Sequence, residues 1–253
     1  MTSPTIAASS FGPLAFVNEA RVAFEPWRLI ARSPRLVRRT PRPATVIVLP
    51  GLGGNDLSTY PLRWYLRRIG HHVVGWGLGV HRADPLSSLN DFKARLREVV
   101  DQVGGPVTLV GWSLGGVIAR ESARDLPGLV DQVVTFGSPI NGLRHTSAPW
   151  MFDEAVLRYI ERVDMRRRRR PIRVPITSIY SRNDGVVDWR HAIDDHTPTA
   201  VNVEVHSSHI GLGVDPDVWT AVADALDTAG AARSGRRAMA GPTRCRLKRH
   251  VDD

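Results

Sequence analysis

Ser113 stands in Gly111-Trp112-Ser113-Leu114-Gly115, followed by Gly116, between the β-branched run PVTLV and the helix-competent segment VIARESAR. A serine on a tight strand-to-helix turn takes a strained backbone, so the residues two positions away on either side must be nearly without side chains. Gly111 and Gly115 meet that need. Such a turn presents the hydroxyl at the carboxyl edge of a sheet, over a helix N-terminus that favours developing negative charge. A glycine-rich turn with a passive serine is the plainer alternative, and the strand before and helix after weigh against it.

A hydroxyl is a poor nucleophile until a base takes its proton, and an acid must hold that base in the productive tautomer. After a serine on this kind of turn the expected chain order is acid, then histidine. Of the nine histidines, His71, His72 and His81 precede Ser113, His145 and His191 precede or adjoin the acid, and His250 lies at the end of the chain. His209, in HSSHIGLGV between the last strand and the last helix, is best placed; His206, which abuts the strand, is the alternative. For the acid, Asp184 in SRNDGVVDW is preferred over Asp188, Asp194 and Asp195, although an aspartate in Asn-Asp-Gly is also an ordinary turn former. An imidazole base predicts activity that falls below about pH 6 to 7.

Acyl transfer through a tetrahedral intermediate also needs two preorganised N–H donors aimed at the oxyanion. Pro50-Gly51-Leu52-Gly53-Gly54, after the first core strand, can supply one from Leu52, and Leu114 supplies the other as the residue after the nucleophile. Glycine-rich strand ends also bind phosphate, but no Walker lysine follows, and the third glycine of a dinucleotide motif would fall on Asp56 or Leu57. No cofactor is expected.

These residues have to be positioned by a scaffold. Strand candidates are Thr45 to Leu49, His72 to Trp76, Val107 to Val110, Gln132 to Phe136, Ile176 to Tyr180 and Val201 to Val205. Helical patterns run over Leu57 to Ile69, over Ser88 to Val103 with Ser88 and Asp91 at capping-box spacing, after Leu114, and from Pro216 to Leu226. About six strands interleaved with helices predict an α/β architecture, a mostly parallel sheet covered on both faces. Residues 1–43 read as an extension whose Leu14, Val17, Phe24, Trp27 and Ile30 roughly follow a helical period. The main domain is 44–228, and 229–253 reads as a basic, disordered tail. Within the domain, 141–173 is a helical insertion in which Phe152, Val156, Tyr159, Ile160 and Val163 recur at helical spacing. Trp150, Met151 and Phe152 could build an apolar lid or acyl-binding wall, with ordinary helix core as the alternative.

The formal charge is +9, yet residues 1–45, the run Arg166 to Arg170 and residues 229–253 each carry a net +5, so the rest of the chain is acidic. This argues against a nucleic-acid channel within the fold. Arg166 to Arg170 could meet anionic lipid headgroups, a solvated loop being the simpler reading. Cys245 is the single cysteine and permits neither an intrachain disulfide nor a thiolate metal site, so no metal is expected. No apolar run approaches membrane-spanning length and no secretory leader is evident, so cytoplasmic residence, with peripheral membrane contact through the arginines, is the expectation. The oligomeric state stays open.

With those motifs in hand, the chain resembles the α/β-hydrolase superfamily, in its esterase and lipase branch of small bacterial lipases and GPI-inositol-deacylase-like proteins. The resemblance covers residues 45–226 and rests on LPGLGG, GWSLGG, FGSPINGL, SRNDGVV and SSHIGL in that order. It implies an α/β-hydrolase fold, a triad of Ser113, Asp184 and His209, and a lid-like insertion after FGSP. Pro50 and Trp112 replace histidines the family often carries there; both positions line or support the pocket, and Trp112 joins Trp150, Met151 and Phe152 as an expected substrate contact. The expected activity is hydrolysis of carboxylic esters, lipid or acyl esters above all. The alternatives are acyl transfer by the same triad or a non-catalytic lipid- or protein-binding module.

Overall fold

Strand β1, Thr45–Leu49, has the sequence TVIVL and is buried from Val46 to Leu49. Side chains alternate across a strand, so Val46 and Val48 enter one core while Ile47 and Leu49 enter another. A strand apolar on both faces belongs in the middle of a covered sheet. In the computed structural model, which describes residues 39–82, 84–141, 154, 156–159, 162–163 and 170–239 (by backbone alone from 229), β1 lies between β2 (His72–Gly75) and β3 (Val107–Trp112). The sheet continues through β4 (Val130–Phe136), β5 (Ile176–Ser181) and β6 (Ala200–Val205), with the order β2-β1-β3-β4-β5-β6 and every pairing parallel. All six expected strands are present.

One core packs α1 (Tyr60–Arg68) and the last helix, α5 (Pro216–Met239), against the sheet through Leu62, Leu66, Val218, Trp219 and Leu226. The other packs α2 (Pro85–Val103) and α3 (Leu114–Asp125) through Phe92, Leu96, Val117 and Ile118. Each such fully buried side chain stabilises the fold by about 1.5–3 kcal/mol. A short α4 (Trp189–Ala192) follows β5.

Three boundaries differ from expectation. Helix α2 starts at Pro85, not Ser88, because Asp84 accepts the Ser87 N–H at 3.1 Å and Pro85 suits the first turn; Ser88 is a buried residue inside the helix. Helix α1 starts at Tyr60, leaving Leu57 in an exposed turn, with Pro61 in the first helical turn. Helix α5 continues past residue 228 to Met239, through a segment rich in alanine and arginine, both strong helix formers. In the insertion, residues 154, 156–159 and 162–163 are helical, and Val156, Tyr159 and Val163 are buried in the core that holds α2 and α3. Its far end is tied down where the Arg124 guanidinium donates to the Arg170 carbonyl and Arg170 lies 3.6 Å from Asp125. Residues 1–38, Trp150, Met151, Phe152, Arg166 to Arg169 and 240–253 lie outside the described residues. Among the described residues no helix is long and apolar enough to cross a membrane.

Candidate active site

The carboxyl ends of the central strands converge on Ser113. Strand register sets Leu49 of β1 beside Gly111 of β3, and Trp112 beside Phe136 of β4. The Ser113 N–H still donates to the Phe136 carbonyl at 3.0 Å, and the next residue begins α3. That abrupt change forces Ser113 to φ 52°, ψ −126°, and among the described residues it is the non-glycine residue with positive φ. Such a conformation costs on the order of 1–3 kcal/mol, and it persists only where the surroundings enforce it. The enforcement is visible at the flanking glycines. A Cβ on Gly111 would stand 2.6 Å from the Gly115 carbonyl oxygen, and one on Gly115 would stand 2.7 Å from the Leu49 carbonyl oxygen and nearer still to that of Pro50.

His209 reaches Ser113 from the loop after β6. Its Nε2 lies 3.1 Å from Ser113 Oγ, and its Nδ1 lies 2.8 Å from Asp184 Oδ2. All three side chains are buried. Asp184 Oδ1 accepts the main-chain N–H groups of Val186 at 2.9 Å and Val187 at 2.8 Å, which leaves Oδ2 turned to the imidazole. With a carboxylate facing Nδ1, that nitrogen carries the proton and Nε2 offers a lone pair to the serine hydroxyl.

The other candidates are placed elsewhere. His206 is exposed. Asp188 caps α4 by accepting the Arg190 N–H, and Asp195 stands at the surface beside His196. Asp194 is buried against Arg120, 2.6 Å from its guanidinium, and accepts the Thr197 N–H. Burial raises its pKa, but the Arg120 charge and these hydrogen bonds outweigh that and hold it below the ordinary carboxylate value.

The loop after β1 closes over the serine. A Cβ on Gly51 would lie 3.2 Å from Ser113 Cβ and 3.8 Å from its Oγ, so the loop passes beside the hydroxyl at Gly51. Leu114 is the first helical residue, so its N–H has no acceptor within the helix. Trp112 is half buried, stacked on Phe136 with ring centres 6.2 Å apart and tilted against His209 at 6.1 Å.

Two contributors were not assigned these roles from the sequence. Gly137, in FGSP, has φ +56°, and a Cβ there would sit 2.6 Å from Leu212 Cδ1, 3.2 Å from Asp184 Oδ2 and 3.3 Å from His209 Nδ1. The FGSP motif marked the segment but not this packing. Ser181, at the end of β5, joins the acid loop to the histidine loop. Nothing in its local sequence signals that.

Comparisons with known proteins agree with this architecture. The family described as "Alpha/beta hydrolase family" matches residues 46–247. Among curated proteins none matches this chain. A lipase of Bacillus licheniformis in its mature form superposes with TM-score 0.59 at 16% identity, covering 75% of this chain and 94% of the lipase. A metagenome-derived lipolytic enzyme gives 0.59 at 16% identity over 76% and 95%. A monoacylglycerol lipase of Paleococcus ferrophilus gives 0.55 at 15% identity over 77% and 96%. At these identities the likeness is one of fold. Because the matched span runs from within β1 to beyond α5, and so takes in the whole sheet with Ser113, Asp184 and His209 at its carboxyl edge, the protein belongs to the alpha/beta hydrolase family.

Proposed function

We propose that the protein hydrolyses carboxylic esters through an acyl-enzyme on Ser113. The observation that carries this reading is the unbroken hydrogen-bonded line from Asp184 through His209 to Ser113, at 2.8 and 3.1 Å, ending on a serine with strained backbone. Ser113 Oγ attacks the ester carbonyl carbon while His209 Nε2 takes the hydroxyl proton. The carbonyl oxygen becomes an oxyanion, stabilised by the main-chain N–H groups of Leu52 and Leu114. Asp184 stabilises the imidazolium without itself taking a proton. As the tetrahedral intermediate collapses, the imidazolium returns its proton to the departing alkoxide and the alcohol leaves. A water molecule then attacks the acyl-enzyme, with His209 as base once more, and the acid departs from Ser113.

Lipid or other acyl esters are the substrate class that the lipases among the structural neighbours support. Trp112, beside His209, and the Trp150 to Phe152 segment of the insertion are the expected acyl contacts. Hydrolysis of p-nitrophenyl esters graded in acyl length tests the reading. Ser113→Ala should lower kcat by at least about 10⁴-fold. A fluorophosphonate should add once to the wild-type chain, at Ser113 by mass mapping. Full esterase activity in Ser113→Ala would overturn the assignment.

A further inference from the structure

The Pro50 carbonyl is held from two sides. From one side the elbow approaches so closely that a Cβ on Gly115 would collide with the carbonyl oxygen. From the other, His81 Nδ1 lies 2.9 Å away. His81 also exchanges main-chain hydrogen bonds with the same loop: its carbonyl accepts the Gly53 N–H at 2.8 Å, and its N–H donates to the Gly54 carbonyl at 2.8 Å. Leu52 lies between these anchored points, and its neighbour Gly51 touches Ser113.

The His81 side chain is buried, its ring set against Trp76 with centres 4.9 Å apart. Burial lowers its pKa despite the Pro50 and Gly51 carbonyls nearby, so the ring is neutral near pH 7. Nδ1 faces a carbonyl and Nε2 has no hydrogen-bond partner among the described residues, so the single ring proton sits on Nδ1 and is donated to Pro50. A buried donor with one acceptor in a fixed direction restrains that acceptor strongly, because swinging away would break the bond with no water at hand to replace it.

The geometry points to His81 as a positioning residue for the oxyanion donor: by binding the Pro50 carbonyl it sets the Gly51 to Gly54 backbone so that the Leu52 N–H faces the developing oxyanion beside Ser113. It touches no reacting atom, and its role rests on the esterase reading above. An oxyanion donor works only if it is preorganised at the oxyanion's position, and losing one outright costs about 10²–10³ in kcat.

The test compares His81→Phe, His81→Asn and His81→Gln with wild type and Ser113→Ala. Phenylalanine keeps the packing on Trp76 without the donor. Asparagine Nδ2 is as many bonds from the main chain as the imidazole Nδ1, whereas glutamine places its amide one bond too far. His81→Phe and His81→Gln should lose about 10- to 100-fold in kcat with KM within about twofold, and His81→Asn should recover to within about threefold of wild type. The ratio of rates on an ester and the matching thionoester gives a second readout, since sulfur is a poor acceptor for the donors. That ratio should fall towards one in His81→Phe and His81→Gln and stay near wild type in His81→Asn. If His81→Phe fails to fold, the asparagine and glutamine pair decides. Wild-type kcat in a folded donor-less variant beside an inactive Ser113→Ala overturns the His81 role alone, as does equal loss in His81→Asn and His81→Gln. Activity retained by Ser113→Ala overturns the esterase reading and this role together.

Discussion

Ser181 and Ser207 are joined twice: Ser181 Oγ donates to the Ser207 carbonyl at 2.6 Å and accepts the Ser207 N–H at 3.1 Å. The same oxygen accepts the Asn183 N–H at 3.0 Å. One buried hydroxyl thus fastens the loop carrying Asp184 to the loop carrying His209. Ser181→Ala removes all three of these hydrogen bonds. It should lower unfolding stability by about 1–3 kcal/mol and kcat by about tenfold, read by chemical denaturation and ester hydrolysis. Unchanged kcat would mean that each loop holds its own shape.

Asp184→Asn keeps an oxygen able to accept the Val186 and Val187 N–H groups but turns an amide N–H towards His209 Nδ1. The imidazole is then driven to the other tautomer, with its proton facing Ser113. A kcat loss of about 10⁴-fold with little change in melting temperature is expected.

Gly137→Ala adds a methyl group among Leu212, Asp184 and His209 at a residue with φ +56°. It should reduce stability by about 1–3 kcal/mol and also lower kcat, because the intruding methyl is relieved by moving the acid or the imidazole. Thermal unfolding and kcat on a short-chain ester check both, and a stable, fully active variant would contradict the packing described.

Since His209 must be neutral to accept a proton, kcat/KM should decline on the acid side as the imidazole takes up a proton. A rate unchanged down to pH 4.5 would exclude an imidazole base.

The Arg120–Asp194 pair predicts a different pH effect, on stability. Asp194 has its folded pKa held below the ordinary 3.8, so its contribution is fully present above the unfolded value and is lost as pH falls through the folded one. Asp194→Asn should cost about 3–5 kcal/mol near neutrality by leaving Arg120 buried without that carboxylate's charge, and the gap to wild type should narrow below about pH 4. Urea unfolding at pH 7 and at pH 3 measures it.

The strands were legible because TVIVL, TLV and VVTF are short, mostly β-branched runs with apolar residues for both faces, as a covered parallel sheet requires. Ser113, Asp184 and His209 were legible because strand ends announce themselves by glycine and turn residues, and their order restricted the choice. What stayed hidden depends on distant partners. His81 meets Pro50 across 31 residues and Ser181 meets Ser207 across 26, so no local pattern marks either. The start of α2 was misplaced because Asp84-Pro85 outcompetes the capping spacing further on. The side chains of Trp150, Met151 and Phe152, outside the described residues, stay an expectation.

The helical residues Val156, Tyr159 and Val163 of the insertion are seated in the core that holds α2 and α3. Lifting that helix like a flap would return three buried side chains to water, at about 1.5–3 kcal/mol apiece, and would make the open form a rare visitor. The described part of the insertion is therefore a fixed element of the core rather than a loose attachment.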